Sequence, residues 1–400
     1  MCSMRIPFVR LQWQRQSQVD HHSAHSFLIS LLRGLAALQV AAAHLRSEMF
    51  PGLRELADPP LYYQLLAFCT AFSHQAVVVF FLISGWLVGG SLLNKLGQPG
   101  AMTGYAIDRA TRLWTVLVPA LCLMLAVGAL TGSVSPTRPD FSANNDYSAT
   151  SFAGNLLGLQ TILVPTFAGN YALWSLANET WYYLQFPLLL LVFLGRTRLR
   201  QVGAATVLVL VSAALPFSIV LYFALWLLGA LFSRVRIDCA TGVRVALLAV
   251  AAGATVFFRL SEPNDDLKPE FFLQHLMYSV PLLAFLASMQ RPLDAGAGWM
   301  RILAPAAHLL SEFSFTLYVS HVPLIKLLRH LGLQAFGRDR LAADQPADYA
   351  IYFGMLLAML AVAWLSYLLF ESHTFRVRRL VKTLLQSRAR RPAMASAPVK

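Results

Sequence analysis

Residues 201–233 read QVGAATVLVLVSAALPFSIVLYFALWLLGALFS, a run of 33 positions without one Asp, Glu, Lys or Arg. A helix rises about 1.5 Å per residue, so about 20 apolar residues cross a hydrocarbon core ~30 Å thick. The run is too long for one upright span. It divides into two short helices at Pro216, which has no backbone N–H to continue a helical ladder. Charge-free stretches recur at 59–94, 113–137, 147–178 and 271–290. Across 400 residues the chain is 57% hydrophobic and 13% charged, where globular domains carry about 25% charge. This composition excludes disorder, a coiled coil and a small disulfide-stapled domain, and leaves an all-α, polytopic membrane bundle.

Ten spans are expected, at 26–46, 72–93, 113–131, 172–194, 201–216, 218–233, 245–260, 271–289, 305–326 and 349–370. With the N-terminus cytoplasmic, 22 of the 32 Lys and Arg fall in cytoplasmic segments, 7 in external ones and 3 within spans. Such a bias orients membrane chains and places both termini in the cytoplasm. The net charge of +13 is therefore read as a topology signal, and no nucleic-acid partner is expected. The expected organisation is a basic cytoplasmic segment at 1–25, a membrane domain at 26–372 and a basic cytoplasmic tail at 373–400. An external loop at 132–171 interrupts the membrane domain. Cys2, Cys69, Cys122 and Cys239 are scattered, without metal-ligand spacing, so neither a metal site nor a disulfide framework is expected. Arg5, Arg10 and Arg15 precede no short apolar core with a cleavage site, and a removable signal peptide is not expected.

Ionisable groups inside spans are costly unless they face a cavity or a partner, so each is a functional hypothesis. Arg33 and His44 are 11 positions apart, a separation that places them on one helical face about 16 Å apart. An interfacial histidine satisfied by water is the plainer reading of His44. Arg109 and Arg112, three apart, are neighbours on a helix and suit phosphate, or serve as positive-inside anchors. Glu179 lies at the depth expected for His44, and a His–carboxylate pair orients and charges a general base. Pairing of Glu179 with another buried group is an equal alternative. Ser314, Tyr318 and His321 share a face of the ninth span. Ser84-Gly85 and Gly89-Gly90 suit close helix packing. No nucleophile elbow, P-loop or dinucleotide fingerprint is present.

Five segments together resemble the membrane-bound acyltransferase 3 family. They are LLRGLAALQVAAAHL with Arg33 and His44; FFLISGWLVGG with Ser84; DRATRLW with Arg109 and Arg112; WSLANETWYYLQFP with Trp174, Ser175, Glu179, Tyr183 and Pro187; and FSFTLYVSHVP with Ser314, Tyr318, His321 and Pro323. The family often closes its last span with Glu-x-Pro. Here Glu371-Ser372-His373 stands instead, so no role is carried over from that terminal motif.

The resemblance implies a multi-pass protein of the bacterial cytoplasmic (inner) membrane that O-acylates, most often O-acetylates, an envelope or exported glycan such as exopolysaccharide or O-antigen. It implies no bound cofactor, with acyl-CoA, foremost acetyl-CoA, as co-substrate. The bilayer and a carbohydrate acceptor, free or lipid-linked, are its partners. Arg33, Arg109 and Arg112 would hold acyl-CoA phosphates. His44, oriented by Glu179, would deprotonate the acceptor hydroxyl, or carry the acyl group transiently. Ser84, Trp174, Ser314, Tyr318 and His321 would face the acceptor or the oxyanion. A transporter or flippase using His44 and Glu179 as a proton relay is the rival class.

Overall fold

Ser23 opens the first long helix by accepting the Ser26 N–H at 3.1 Å. The protein's structure, a computed structural model, describes residues 3–6, 9–17, 23–134, 146–261, 267–292 and 300–395. Part of the expected external loop, at 135–145, and the last residues of the tail, at 396–400, lie outside the described residues.

The helices in chain order are α1 (Ala24–Met49), α2 (Leu61–Cys69), α3 (Ser73–Ser84), α4 (Gly90–Asn94), α5 (Ala101–Leu130), α6 (Ala149–Leu156), α7 (Trp174–Leu194) and α8 (Arg198–Ala214). They continue with α9 (Phe217–Phe232), α10 (Thr241–Ser261), α11 (Phe272–Ser288), α12 (Met300–Glu312), α13 (Ser314–Phe336), α14 (Pro346–Leu369) and α15 (Thr374–Ala395). Every predicted span coincides with helix. Among the described residues, however, length and apolarity single out six crossing segments, or seven if α12 and α13, which meet at 61°, form one broken span. The expected count of ten is thus not established on that criterion. The shortfall has a physical source. α7 carries Asn178, Glu179 and Gln185. α8 and α9 have 17 and 16 residues, or about 25 Å each, less than a typical hydrocarbon core.

One element was not foreseen. β1 (Ser3–Ile6), β2 (Val9–Trp13) and β3 (Val235–Cys239) form an antiparallel sheet in the order β1-β2-β3, with Leu11 opposite Ile237. It ties the N-terminal segment to the loop after α9, and Gln14 N–H donates to Arg234 O at 2.7 Å.

α1 and α13 lie at the centre of the bundle. α13 is buried almost continuously from Thr316 to Ile325, and two apolar clusters meet around the pair. One joins α1 to α3, α5, α7, α9 and α11, and the other joins α1 to α13 and α14. The outer helices instead turn apolar side chains outward, including Val209, Leu210, Val250, Phe257 and Leu357. A contiguous apolar exterior of this kind is what a bilayer covers. α3 meets α9 at backbone distance: a Cβ on Gly85 would lie 1.9 Å from Trp226 O, and one on Gly229 would lie 2.1 Å from Leu82 O. Between α3 and α4 the chain makes one π turn, Gly85–Gly89, a distortion that gathers at functional sites.

Candidate active site

α1 runs unbroken past both Arg33 and His44, so the two project from one face as the spacing requires. The polar groups around them fall into layers stacked along α13. In the outer layer His44 Nδ1 lies 2.8 Å from His321 Nε2, the rings stacking with centroids 5.0 Å apart. Tyr171 meets the His44 ring edge-on at 5.0 Å. His321 is fully buried and its Nδ1 has no hydrogen-bond partner among the described residues, while His44 is only partly buried.

One turn deeper on α13, the Tyr318 hydroxyl is 2.5 Å from Ser175 Oγ. Deeper again, Glu179 accepts from Ser84 Oγ at 2.5 Å and from the Tyr183 hydroxyl. Trp226 Nε1 donates to Ser84 at 3.1 Å. Arg109 lies over the Tyr183 ring, 5.8 Å from its centre, and its buried Nε has no partner among the described residues. At the same level Arg33 donates to Ser314 Oγ at 3.4 Å. Arg112 forms an ion pair with Glu371 at 2.6 Å. The other Glu371 oxygen accepts the Thr316 N–H at 3.2 Å and the Thr316 hydroxyl at 2.5 Å. That carboxylate therefore stands at the positive end of α13, where a helix favours an anion.

Three expectations change. Glu179 is not the partner of His44; His321 is. The reason is depth. Segment 146–173 fills the outer level, with Lys326 Nζ donating to Ala168 O at 2.6 Å and Asn170 Nδ2 to Val319 O at 3.1 Å. α7 consequently starts beside Tyr318, and Glu179 sits a turn below it, at the level of Arg33. The proton relay from His44 to Glu179 assumed for a transporter is not formed either. Arg112 and Arg109 are neighbours on α5, but Arg112 does not offer an open fork for phosphate, because Glu371 occupies it.

Trp174 stands apart, at the start of α7, with its ring 6.2 Å from that of His74. Glu371, Tyr171 and Trp226 were given no role on sequence. For Glu371 the signal was present as a lone acid directly after an apolar run. At the outer rim Arg329 bridges Glu48 at 3.0 Å and Asp339 at 2.7 Å, and this hydrogen bond holds the Asp339 carboxyl below its ordinary range. Among the described residues no three His, Cys, Asp or Glu side chains gather as metal ligands.

Chemically, the outer layer holds a histidine whose orientation a second histidine fixes, and the inner layer holds three guanidinium groups against two carboxylates. A family model described as an acyltransferase domain matches residues 28–368, which is most of the chain and includes every group named in these layers except Glu371. No curated protein and no solved structure matches.

Proposed function

The chain belongs to the acyltransferase 3 family, and from that premise we propose that it transfers an acyl group, foremost acetyl, from cytoplasmic acyl-CoA to a glycan hydroxyl. The acceptor is an envelope or exported carbohydrate, such as an exopolysaccharide or a lipid-linked O-antigen unit, at the bacterial cytoplasmic membrane. The observation that carries the reading is the contact between His44 Nδ1 and His321 Nε2 on a helix face that also bears Arg33.

One imidazole of a hydrogen-bonded pair must donate and the other accept. With the proton on His44 Nδ1, His321 Nε2 accepts it, and the lone pair of His44 Nε2 remains as a base. That nitrogen takes the proton of the acceptor hydroxyl while the oxygen attacks the thioester carbonyl. The tetrahedral adduct then collapses, its C–S bond breaks, and the CoA thiolate leaves with the proton held by His44. The ester and the free thiol are the products. Tyr318, already bonded to Ser175, is positioned one turn from His321 to donate to the oxyanion.

On the inner side Arg33 and Arg109 draw the donor's phosphates. Arg112, shared with Glu371, sets their orientation. About 16 Å separates Arg33 from His44 along α1, a distance for a pantetheine arm to span. Ser84 is engaged by Glu179 and Trp226, which suits holding Glu179 in place better than binding the acceptor.

The test follows label from acyl-CoA into glycan in membranes carrying wild type, His44→Ala or Arg109→Ala at equal expression. Loss of label with His44→Ala and a raised acyl-CoA KM with Arg109→Ala are expected. Full glycan acylation by His44→Ala overturns the assignment of the base. Uptake of substrate by purified wild type without ester formation favours the transporter class.

A further inference from the structure

On the face of α1 turned away from Arg33 and His44 runs a groove of about 1020 Å³, walled by α1, α2, α3, α10, α11 and α14. Among the described residues none of its lining side chains is charged. It opens sideways past exposed Leu35, Leu65 and Phe353, towards the hydrocarbon that surrounds the bundle.

Its polar side chains divide into two groups. The hydroxyls of Tyr62, Thr70, Thr255, Tyr349 and Tyr352 donate to backbone carbonyls. The side-chain amides of Gln39 and Gln75 make no hydrogen bond to a described residue, with Gln39 Nε2 and Gln75 Oε1 buried. The Tyr278 hydroxyl is likewise buried without a partner among the described residues, on a residue only 2% exposed. Unpaired amide and hydroxyl groups facing hydrocarbon are costly and call for an occupant that can bond them.

At the outer rim Arg46 donates to Thr70 Oγ1 at 2.9 Å. Gln39 lies seven residues inward from Arg46, about 10 Å along α1, and Leu32 lies a further ~10 Å inward. From the rim inward the groove therefore presents guanidinium, then neutral hydrogen-bonding groups, then a purely apolar wall.

We propose that this groove is a binding site for one glycerophospholipid of the leaflet on the Arg46 side. Its phosphate lies at Arg46, its ester carbonyls accept from the side-chain N–H groups of Gln39 and Gln75 and from the Tyr278 hydroxyl, and its chains run along Leu32 and Leu35. A fatty acid with its carboxylate at Arg46 would leave the two amides and the phenol unpaired. An isoprenoid phosphate would leave the two amides and the phenol unpaired.

The test uses full-length protein in neutral detergent, read by native mass spectrometry during titration with dioleoylphosphatidylglycerol, dioleoylglycerol or farnesyl phosphate. Wild type is expected to hold one phosphatidylglycerol, with the other two probes weaker. The Gln39→Leu/Gln75→Leu variant is expected to bind phosphatidylglycerol about tenfold more weakly, as the loss of one or two hydrogen bonds implies. Leu65→Trp, which sends an indole into the groove from an exposed position, is expected to do the same without touching the core. Unchanged phosphatidylglycerol binding in Leu65→Trp overturns the site. Equal affinity of wild type and the double variant overturns the role of the amides, and farnesyl phosphate matching phosphatidylglycerol overturns the lipid class.

Discussion

His321 occupies the place across from His44 that depth-counting along the chain gives to Glu179. The consequence is kinetic. Removing the ring in His321→Ala leaves His44 without the acceptor that selects its tautomer, and kcat should fall by about 10²-fold, the low end for loss of general-base function. KM for acyl-CoA should stay near wild type, because no arginine is disturbed. His321→Gln, whose amide oxygen can accept in place of Nε2, should recover part of kcat. Stopped-assay kinetics on the three proteins checks this, and a rise in KM with kcat unchanged contradicts it. Glu371 gives a second prediction at this scale. It is fully buried against Arg112, whose side chain keeps 31% exposure. Breaking a buried pair costs about 3–5 kcal/mol, and the partial exposure of the arginine brings Arg112→Gln to the bottom of that range, read as a lowered Tm in detergent. Glu371→Gln placed on top of Arg112→Gln should restore part of the loss. The spacing of Arg33 and His44 was legible because helical phase is arithmetic. The His44–His321 contact was not, because it joins helices far apart in sequence and depends on the level at which each one starts.

At the level of elements, α3 and α9 touch through Gly85 and Gly229, where the added carbons would meet carbonyl oxygens of the facing backbone. Backbone cannot swing aside as a long side chain can, so Gly85→Ala and Gly229→Ala should each destabilise by about 3 kcal/mol or more. Gly203 on α8 is the internal control. A Cβ there meets nothing within 4 Å, and Gly203→Ala should stabilise by about 0.5–1 kcal/mol through helix propensity. Thermal unfolding of the three variants separates the cases, and equal Tm values would remove the close-packing account of FFLISGWLVGG. Small residues in that segment announced tight packing, as the sequence reading held. The π turn that follows Ser84 and the 61° bend between α12 and α13 left no such signature, since both arise from how neighbours press on the helix. The sheet could have been found: Val9 to Trp13 and Val235 to Cys239 interleave apolar and polar positions, a period-2 pattern overshadowed by the apolar runs on either side.

For the whole molecule, contacts between distant loops fix which ends of the helices share a face. Pairing of β2 with β3 joins residues 9–13 to 235–239. Ala24 N–H donates to Arg291 O. Asp108 binds Lys95, Arg378 and Lys382, and Asn94 bonds Ser17. All these belong to one face. The opposite face gathers Met49 with Leu341, Tyr62 with Asp344, Lys326 with Ala168, and Tyr222 with Lys268. Since α1 and β3 begin at the same face, an even number of crossings separates them. α1, the α3–α4 segment and α5 supply three, so α7, α8 and α9 must supply an odd number. We predict that α9, which runs from the level of Lys268 to the sheet, crosses despite its 16 residues. α7 and α8 then cross together or not at all, giving ten crossings or eight. α7 starts on the Ala168 face, packs against α8 through Gln185 and Ser212, and at 21 residues is about 31 Å long. Arg196, Arg198 and Arg200 follow it directly, and a basic cluster beside a span stays in the cytoplasm. A reporter enzyme active only outside the cytoplasm, fused after Thr197 or after Lys382, should therefore be silent, and the same enzyme fused after Arg340 should be active. Activity at Thr197 together with Arg340 would return α7 and α8 to the outer surface and reduce the bundle to eight crossings.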